Sequence, residues 1–82
     1  MKQINFYLFS DYCKTVAGPK VGVPCVFPFE FAKTVYNGCT WEHSAPTAKR
    51  PWCSTKIDRS GKHDGGTGNW GFCNLNCTGI LK

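Results

Sequence analysis

The sequence predicts a small, loop-rich β protein that is held together by disulfide bonds, and three observations support this. Six cysteines occur in 82 residues, an even number that is typical of extracellular disulfide scaffolds. Leu and Ile together occur only six times, against twelve aromatic residues and nine glycines, so a single small core must be built from rings and bridges. No window has the i, i+3, i+4, i+7 apolar spacing of an amphipathic helix. One extracellular domain is therefore expected.

Residues 1–12 are expected to be a lead-in segment. They begin like a secretion signal, with Lys2 and a short apolar stretch, but no cleavage site of small residues follows before Cys13. Ile4, Phe6 and Leu8 alternate, which is the pattern of a short additional strand. No run of residues approaches the length of a membrane span.

Short apolar segments predict the strands. Phe27, Phe29 and Phe31 alternate as in a half-buried strand, although Pro28 between them cannot donate a ladder hydrogen bond. These rings either fill a core that is too small to close otherwise, or form the floor of an aromatic pocket. Further strands are expected at 35–41, interrupted by the turn pair Asn37–Gly38, at 52–57 and at 70–73.

Glycine and proline mark the segments between these strands. Residues 14–24 carry two of each and are expected to form turns. Residues 40–51 are expected to form a polar loop, and residues 58–69, with four glycines in twelve positions, a long glycine-rich loop.

The six cysteines are expected to form three disulfides rather than a zinc site. No two cysteines are separated by the two residues of a zinc knuckle, and the two histidines stand far apart. Spacing alone allows fifteen pairings. Cys13 and Cys77 lie outside the aromatic block, so a bond between them would tie the two ends of the chain together. Asn76-Cys77-Thr78 is formally a glycosylation sequon, with low expected occupancy because Cys77 would be bonded.

The net charge of +5 is expected to reflect a solvated surface more than a patch for sulfated glycans or anionic lipid. Nucleic acid is not an expected partner of an extracellular domain. An enzyme is not expected either, because no Gly-any-Ser-any-Gly elbow occurs and His43 and His63 lie in polar loops, where His63 should be exposed. No cofactor or metal is predicted.

Four segments in order resemble a fibronectin type II module of the kringle-like superfamily. They are "CVFPFEF" at 25–31, Cys39 after seven more residues, "WC" at 52–53 and "WGFC" at 70–73. The resemblance implies two short antiparallel sheets with long loops and little helix. It also implies crossed inner bridges and one outer bridge, namely Cys25–Cys53, Cys39–Cys73 and Cys13–Cys77. The module would span 13–77, with its core at 25–73, the lead-in at 1–12 and a tail at 78–82.

Modules that this chain resembles bind collagen or gelatin, and in some seminal-plasma proteins they bind choline phospholipids. Others are structural or docking modules of larger secreted proteins such as serine proteases. The resemblance therefore implies a secreted, non-catalytic binding module whose aromatic pocket holds collagen-like or gelatin-like extended peptides. Choline-phospholipid binding and a docking role are the alternatives.

The expected ligand-binding residues are mostly aromatic. Trp52 and Trp70 match family positions that line the ligand pocket, whereas Phe29 and Phe72 match structural positions and are expected in the core. The full expected set is Phe27, Tyr36, Trp41, Arg50, Trp52 and Trp70. The chain departs from the family at the expected pocket rim, where Arg59 replaces the usual aromatic residue and the 61–68 loop is enlarged.

Overall fold

The computed structural model describes residues 8–44, 50–74 and 77. The strand expected around Ile4 and the sequon at Asn76 lie outside these residues. The described part of the chain forms six strands and no α-helix, and thus no helix long and apolar enough to cross a membrane. The strands are β1 (Leu8–Ala17), β2 (Pro24–Phe27), β3 (Phe29–Phe31), β4 (Thr34–Tyr36), β5 (Trp52–Ser54) and β6 (Trp70–Cys73).

The larger of two antiparallel sheets has four strands in the order β2-β1-β6-β5. The first and last strands among the described residues, β1 and β6, are therefore neighbours at the centre of this sheet, with Thr15 opposite Cys73. Strand β6 also pairs with β5, where Trp52 lies opposite Phe72 and Ser54 opposite Trp70. This fold of two antiparallel sheets confirms the predicted fold class.

Strand β1 is longer than the sequence indicated. It begins at Leu8, within the expected lead-in, and it includes residues 14–17, which were expected to be turns. These residues are extended because they have partners on both sides, as when the Thr15 N–H donates to the Val23 carbonyl at 2.9 Å. The strand ends at Ala17, and the next residue, Gly18, has a φ of +93°, a conformation that glycine adopts without strain.

The smaller sheet is the hairpin of β3 and β4, which pairs Phe29 with Tyr36. The peptide bond between Phe27 and Pro28, at the junction of β2 and β3, is cis. The hairpin turns at Ala32 and Lys33, which both have positive φ, as a two-residue hairpin turn of the I′ type requires. The predicted strand at 35–41 is therefore shorter and starts earlier than expected.

The core is built from disulfides and rings. The structure contains three disulfides, Cys13–Cys77, Cys25–Cys53 and Cys39–Cys73, and all six cysteines are buried. Phe29 is completely buried between Phe27, Tyr36 and Trp52, with ring centroids 5.1 to 6.3 Å away. Bridges and aromatic rings thus replace the aliphatic side chains that the chain lacks.

The segment after β5 folds back on itself as a short hairpin. Ile57 pairs with His63, so the predicted strand at 52–57 ends early and the glycine-rich loop is partly ordered. Asp58 holds the turn, since its carboxylate accepts hydrogen bonds from the Ser60 hydroxyl at 2.7 Å and from the N–H groups of Ser60 and Lys62. These hydrogen bonds lower the pKa of Asp58, and the bond from the Ser60 hydroxyl has the largest effect. The hairpin positions His63 beside the aromatic rings.

Candidate functional site

A groove of about 340 Å³, here called the aromatic groove, lies where the two sheets and the hairpin after β5 meet. Its lining is mostly aromatic: Phe31, His43, Ser44, Trp52, His63, Trp70 and Phe72. Four of these side chains are apolar rings and two are imidazoles, so the groove offers an apolar surface with few polar groups. This is the composition expected of a site that binds small apolar groups.

Trp52 forms the base of the groove. It is only 5% exposed, and its indole Nε1–H donates to the carbonyl of Glu42 at 2.7 Å. Its backbone N–H and carbonyl both bond to Thr40 at 2.9 Å. Hydrogen bonds therefore fix both the backbone of Trp52 and the polar edge of its indole ring. The ring is a fixed apolar surface at the base of the groove.

Trp70 and Phe72 form one wall. They are two residues apart on β6, so their side chains lie on the same face of the strand. Their rings meet edge to face at 5.0 Å and 87°, and Trp70 meets Trp52 at 6.3 Å and 84°. Phe72, expected in the core, is only half-buried and also lines the groove.

Phe31 and His43 form the facing wall. Their rings meet edge to face at 5.1 Å, and Phe31 also meets Trp52 edge to face at 5.3 Å. His43 has a φ of +64°, and this left-handed backbone conformation accompanies the placement of its ring against Phe31. Of the three phenylalanines that alternate in the sequence, Phe27 and Phe29 fill the core and Phe31 lines the groove.

His63 is half-buried in the groove, not exposed as predicted, and Ser54 fixes its tautomer. The Ser54 hydroxyl donates to the Lys56 carbonyl at 2.7 Å, because a carbonyl can only accept. The same oxygen must then accept at 2.7 Å from Nδ1–H of His63. Neutral His63 therefore carries its proton on Nδ1, and Nε2 is unprotonated.

Burial is the main influence on the pKa of His63 and lowers it. The attraction of Asp64 and the carbonyl of Lys56 raise this pKa, but by less. Asp64 is itself 3.9 Å from the ammonium of Lys56, which offsets part of its charge. The imidazole is therefore more readily neutral than an exposed histidine.

The structure brings Trp52 and Trp70 of the expected ligand-binding residues into the groove, and it places the other four elsewhere. Phe27 is 2% exposed and stacks on Phe29 in the core. Trp41 is 50% exposed but does not line the groove. Arg50 is exposed, and its carbonyl accepts a hydrogen bond from the Ser44 hydroxyl.

Tyr36 packs against Phe29 and is not among the residues that line the groove. The hydroxyl donates to Glu42 Oε1 at 2.7 Å. Burial is the main cause that raises the pKa of Tyr36, and the hydrogen bond to Glu42 and its negative charge raise it further. Tyr36 therefore supports the rings beneath the groove and does not line it.

The two inner disulfides bring four sulfur atoms close together. The sulfurs of Cys25, Cys39, Cys53 and Cys73 lie within 4.8 Å of one another. A zinc ion is held by thiolates, and these sulfurs are bonded in pairs, so in this state they offer no metal ligands.

Residues 25–73 match the family model of the Fibronectin type II domain. A curated relative, the cation-independent mannose-6-phosphate receptor of Homo sapiens, is 44% identical over 52 residues. This alignment covers 63% of the present chain and 2% of the receptor, so the chain corresponds to a very small part of that protein. No solved structure matches the chain.

Proposed function

This chain belongs to the fibronectin type II domain family, and we propose that its aromatic groove binds an extended polypeptide rich in proline and glycine, such as gelatin. Domains of this family are binding modules that generally lack catalytic activity and take extended ligands. With their disulfides they occur in extracellular or secreted proteins. We propose the same setting, a secreted protein, for this chain.

The observation that carries the proposal is the arrangement of four apolar rings around one groove. Phe31, Trp52, Trp70 and Phe72 meet at near-right angles, which leaves ring faces and edges open toward the space between them. A proline-rich chain is already extended in solution, so it loses little entropy when it stacks on such rings. A groove of about 340 Å³ accommodates one or two side chains of such a polypeptide, not a long stretch of it.

The test is retention on immobilised gelatin at pH 7.5. The wild type should be retained and the Trp70→Ala variant should elute, because Trp70 forms a wall of the groove and is only half-buried. Trp52→Ala is a poorer variant, since it removes a buried ring and its hydrogen bond to Glu42.

Trp41→Ala is the matched control. It removes the same side chain from a half-exposed position outside the groove, so it should leave retention unchanged. Near-ultraviolet circular dichroism checks that each variant is folded. A wild type that flows through the column would refute the proposal, and loss of retention with Trp41→Ala alone would place the ligand outside the groove.

A second candidate ligand is a choline phospholipid at a membrane surface. The perpendicular rings of Trp52, Trp70 and Phe72 resemble the walls of an aromatic cage, which attracts a quaternary ammonium through cation–π interactions. Soluble phosphorylcholine should then change the tryptophan fluorescence of the wild type and not that of Trp70→Ala. No change at high concentration would exclude this ligand.

A sulfated glycan would instead bind the exposed lysines and arginines, and Trp70→Ala would leave heparin retention unchanged.

A further inference from the structure

We propose that the aromatic groove binds its ligand more tightly when His63 is neutral, so that in mild acid ligand binding releases a proton and the groove tends to empty. This inference rests on the proposed function of the groove and adds a means of regulating it. His63 is then the residue through which pH controls occupancy.

The position of His63 couples it to anything in the groove. Its ring meets Trp52 at 5.4 Å, Phe31 at 5.6 Å and Phe29 at 6.4 Å, and all three contacts are edge-on. The side chain is half-buried and forms part of the groove lining. A ligand that fills the groove must therefore cover part of the imidazole that water now solvates.

The hydrogen bond to Ser54 decides where a second proton is added. Nδ1 already carries a proton that it donates to Ser54, so acid adds the next one at Nε2. Nε2 lies beside Gly65, where a Cβ would be only 3.7 Å away. Among the described residues, no side-chain acceptor is hydrogen-bonded to this nitrogen, so a proton there would be stabilised mainly by water.

Charges around His63 do not compensate for the loss of this water. The charged and titratable groups on the elements that pack against it are Lys56, Asp58, Arg59, Lys62 and Asp64 on its own hairpin, Glu30, Lys33 and Tyr36 on the hairpin of β3 and β4, and Glu42 and His43 on the segment after β4. Asp64 is the nearby carboxylate that favours the charged imidazole, and Lys56 lies 3.9 Å from it. An apolar or cationic ligand placed over the ring would further disfavour the charged form.

Linkage then fixes the sign and size of the effect. If the ligand lowers the pKa of His63, protonation must weaken ligand binding by the same factor. Each unit by which the ligand lowers this pKa corresponds to about a tenfold loss of affinity between neutral and acid pH. The loss develops as the pH falls through the pKa of His63 in the free protein, which burial holds below the ordinary value of histidine. An anionic ligand would produce the opposite dependence.

The experiment measures binding of two probes at pH 7.5 and pH 5.0. The first is N-phenyl-1-naphthylamine, a neutral apolar dye whose fluorescence increases when it leaves water, and the second is immobilised gelatin. We expect the affinity of the wild type for the dye to fall about tenfold at pH 5.0, and gelatin retention to be lost. His63→Phe, which cannot be protonated, should lose less than about twofold. His63→Gln provides the same comparison if the phenylalanine variant does not fold.

His43→Asn is the matched control for the second histidine of the groove. Asparagine tolerates the φ of +64° at this position, and it removes the other imidazole that contacts Phe31. This variant should keep the acid-dependent loss of the wild type, whatever its affinity at pH 7.5. An acid loss that persists in both His63 variants, or that disappears in His43→Asn, would overturn the assignment to His63.

Nuclear magnetic resonance titration of His63 separates this inference from the proposed function. The pKa of His63 should fall when the dye is bound. A chain that binds the dye with this fall in pKa but ignores gelatin at pH 7.5 would refute the gelatin ligand and retain the proton coupling. An unchanged pKa in the dye-bound protein, or equal dye affinity at both pH values, would refute the coupling even if gelatin binds.

Discussion

Removal of the outer disulfide, by Cys13→Ala together with Cys77→Ala, measures how much this bridge stabilises so small a domain. The two cysteines are 64 positions apart in sequence, and their Cα atoms are 5.8 Å apart in the fold. In the chain-entropy model, closing a loop of this length stabilises the folded state by about 4.3 kcal/mol.

The inner bridges reduce this figure because they already shorten the unfolded chain. With the inner bridges formed, the shortest covalent path from Cys13 to Cys77 has three segments. It runs 12 residues to Cys25 and crosses the disulfide to Cys53. It then runs 14 residues back to Cys39, crosses to Cys73 and runs four residues to Cys77. This path has about 30 residues, for which the same model gives about 3.6 kcal/mol. A domain of this size has roughly 4 to 12 kcal/mol of total stability, so the loss is a large share of it.

The assay is unfolding in guanidinium chloride, followed by tryptophan fluorescence, for the wild type and the double variant. Peptide mapping by mass spectrometry must first show that both inner bridges of the variant are intact. We expect the free energy of unfolding to fall by about 3 to 5 kcal/mol, which includes the packing lost with two buried sulfur atoms. A loss below about 1 kcal/mol would refute the loop-closure reasoning, and complete unfolding would show that the bridge also holds native packing together.

Three further variants or conditions test single contacts. Gly71→Ala should lower the free energy of unfolding by about 3 kcal/mol in urea, because its Cβ would lie 2.5 Å from the carbonyl oxygen of Lys20; wild-type stability would show that β6 can shift. Trp52→Phe should cost about 1 to 3 kcal/mol in the same assay, since it removes the hydrogen bond to Glu42 and part of a buried ring, and no loss would contradict the assigned contact. Because the pKa of His63 is lowered in the folded state, neutral His63 stabilises the fold fully above about pH 6.5, and this contribution is lost as the pH falls through the lowered pKa. Thermal melts should therefore show a smaller fall in melting temperature between pH 7.5 and pH 5.0 for His63→Phe than for the wild type.

The fold class could be predicted because it depends on composition and on one local pattern. Six cysteines, many rings and no helical periodicity leave a small β scaffold, and the spacing around Phe27, Phe29 and Phe31 resembles one family. The extent of strand β1 could not be predicted in this way. Residues 14–17 are extended because β2 and β6 pair with them, and those partners lie far away in sequence.

The lining of the groove was only partly predictable for the same reason. Trp52 and Trp70 stand out because they adjoin or precede cysteines at family positions, but Trp41 has the same side chain and lies outside the groove. His63 enters the groove because the turn at Asp58 folds its segment back toward Phe31. A glycine-rich loop has no periodicity from which this return could be deduced.

The central position of β1 beside β6 has a consequence for how such a unit is combined with others. Since Cys13 and Cys77 have Cα atoms only 5.8 Å apart, the two ends of the disulfide-linked unit lie side by side, and β1 begins only five residues before Cys13, at Leu8. A segment with adjacent entry and exit points can be inserted into a surface loop of a host domain without forcing the two halves of that host apart. Insertion of residues 8–77, which keep the whole of β1, into such a loop should therefore leave both partners folded.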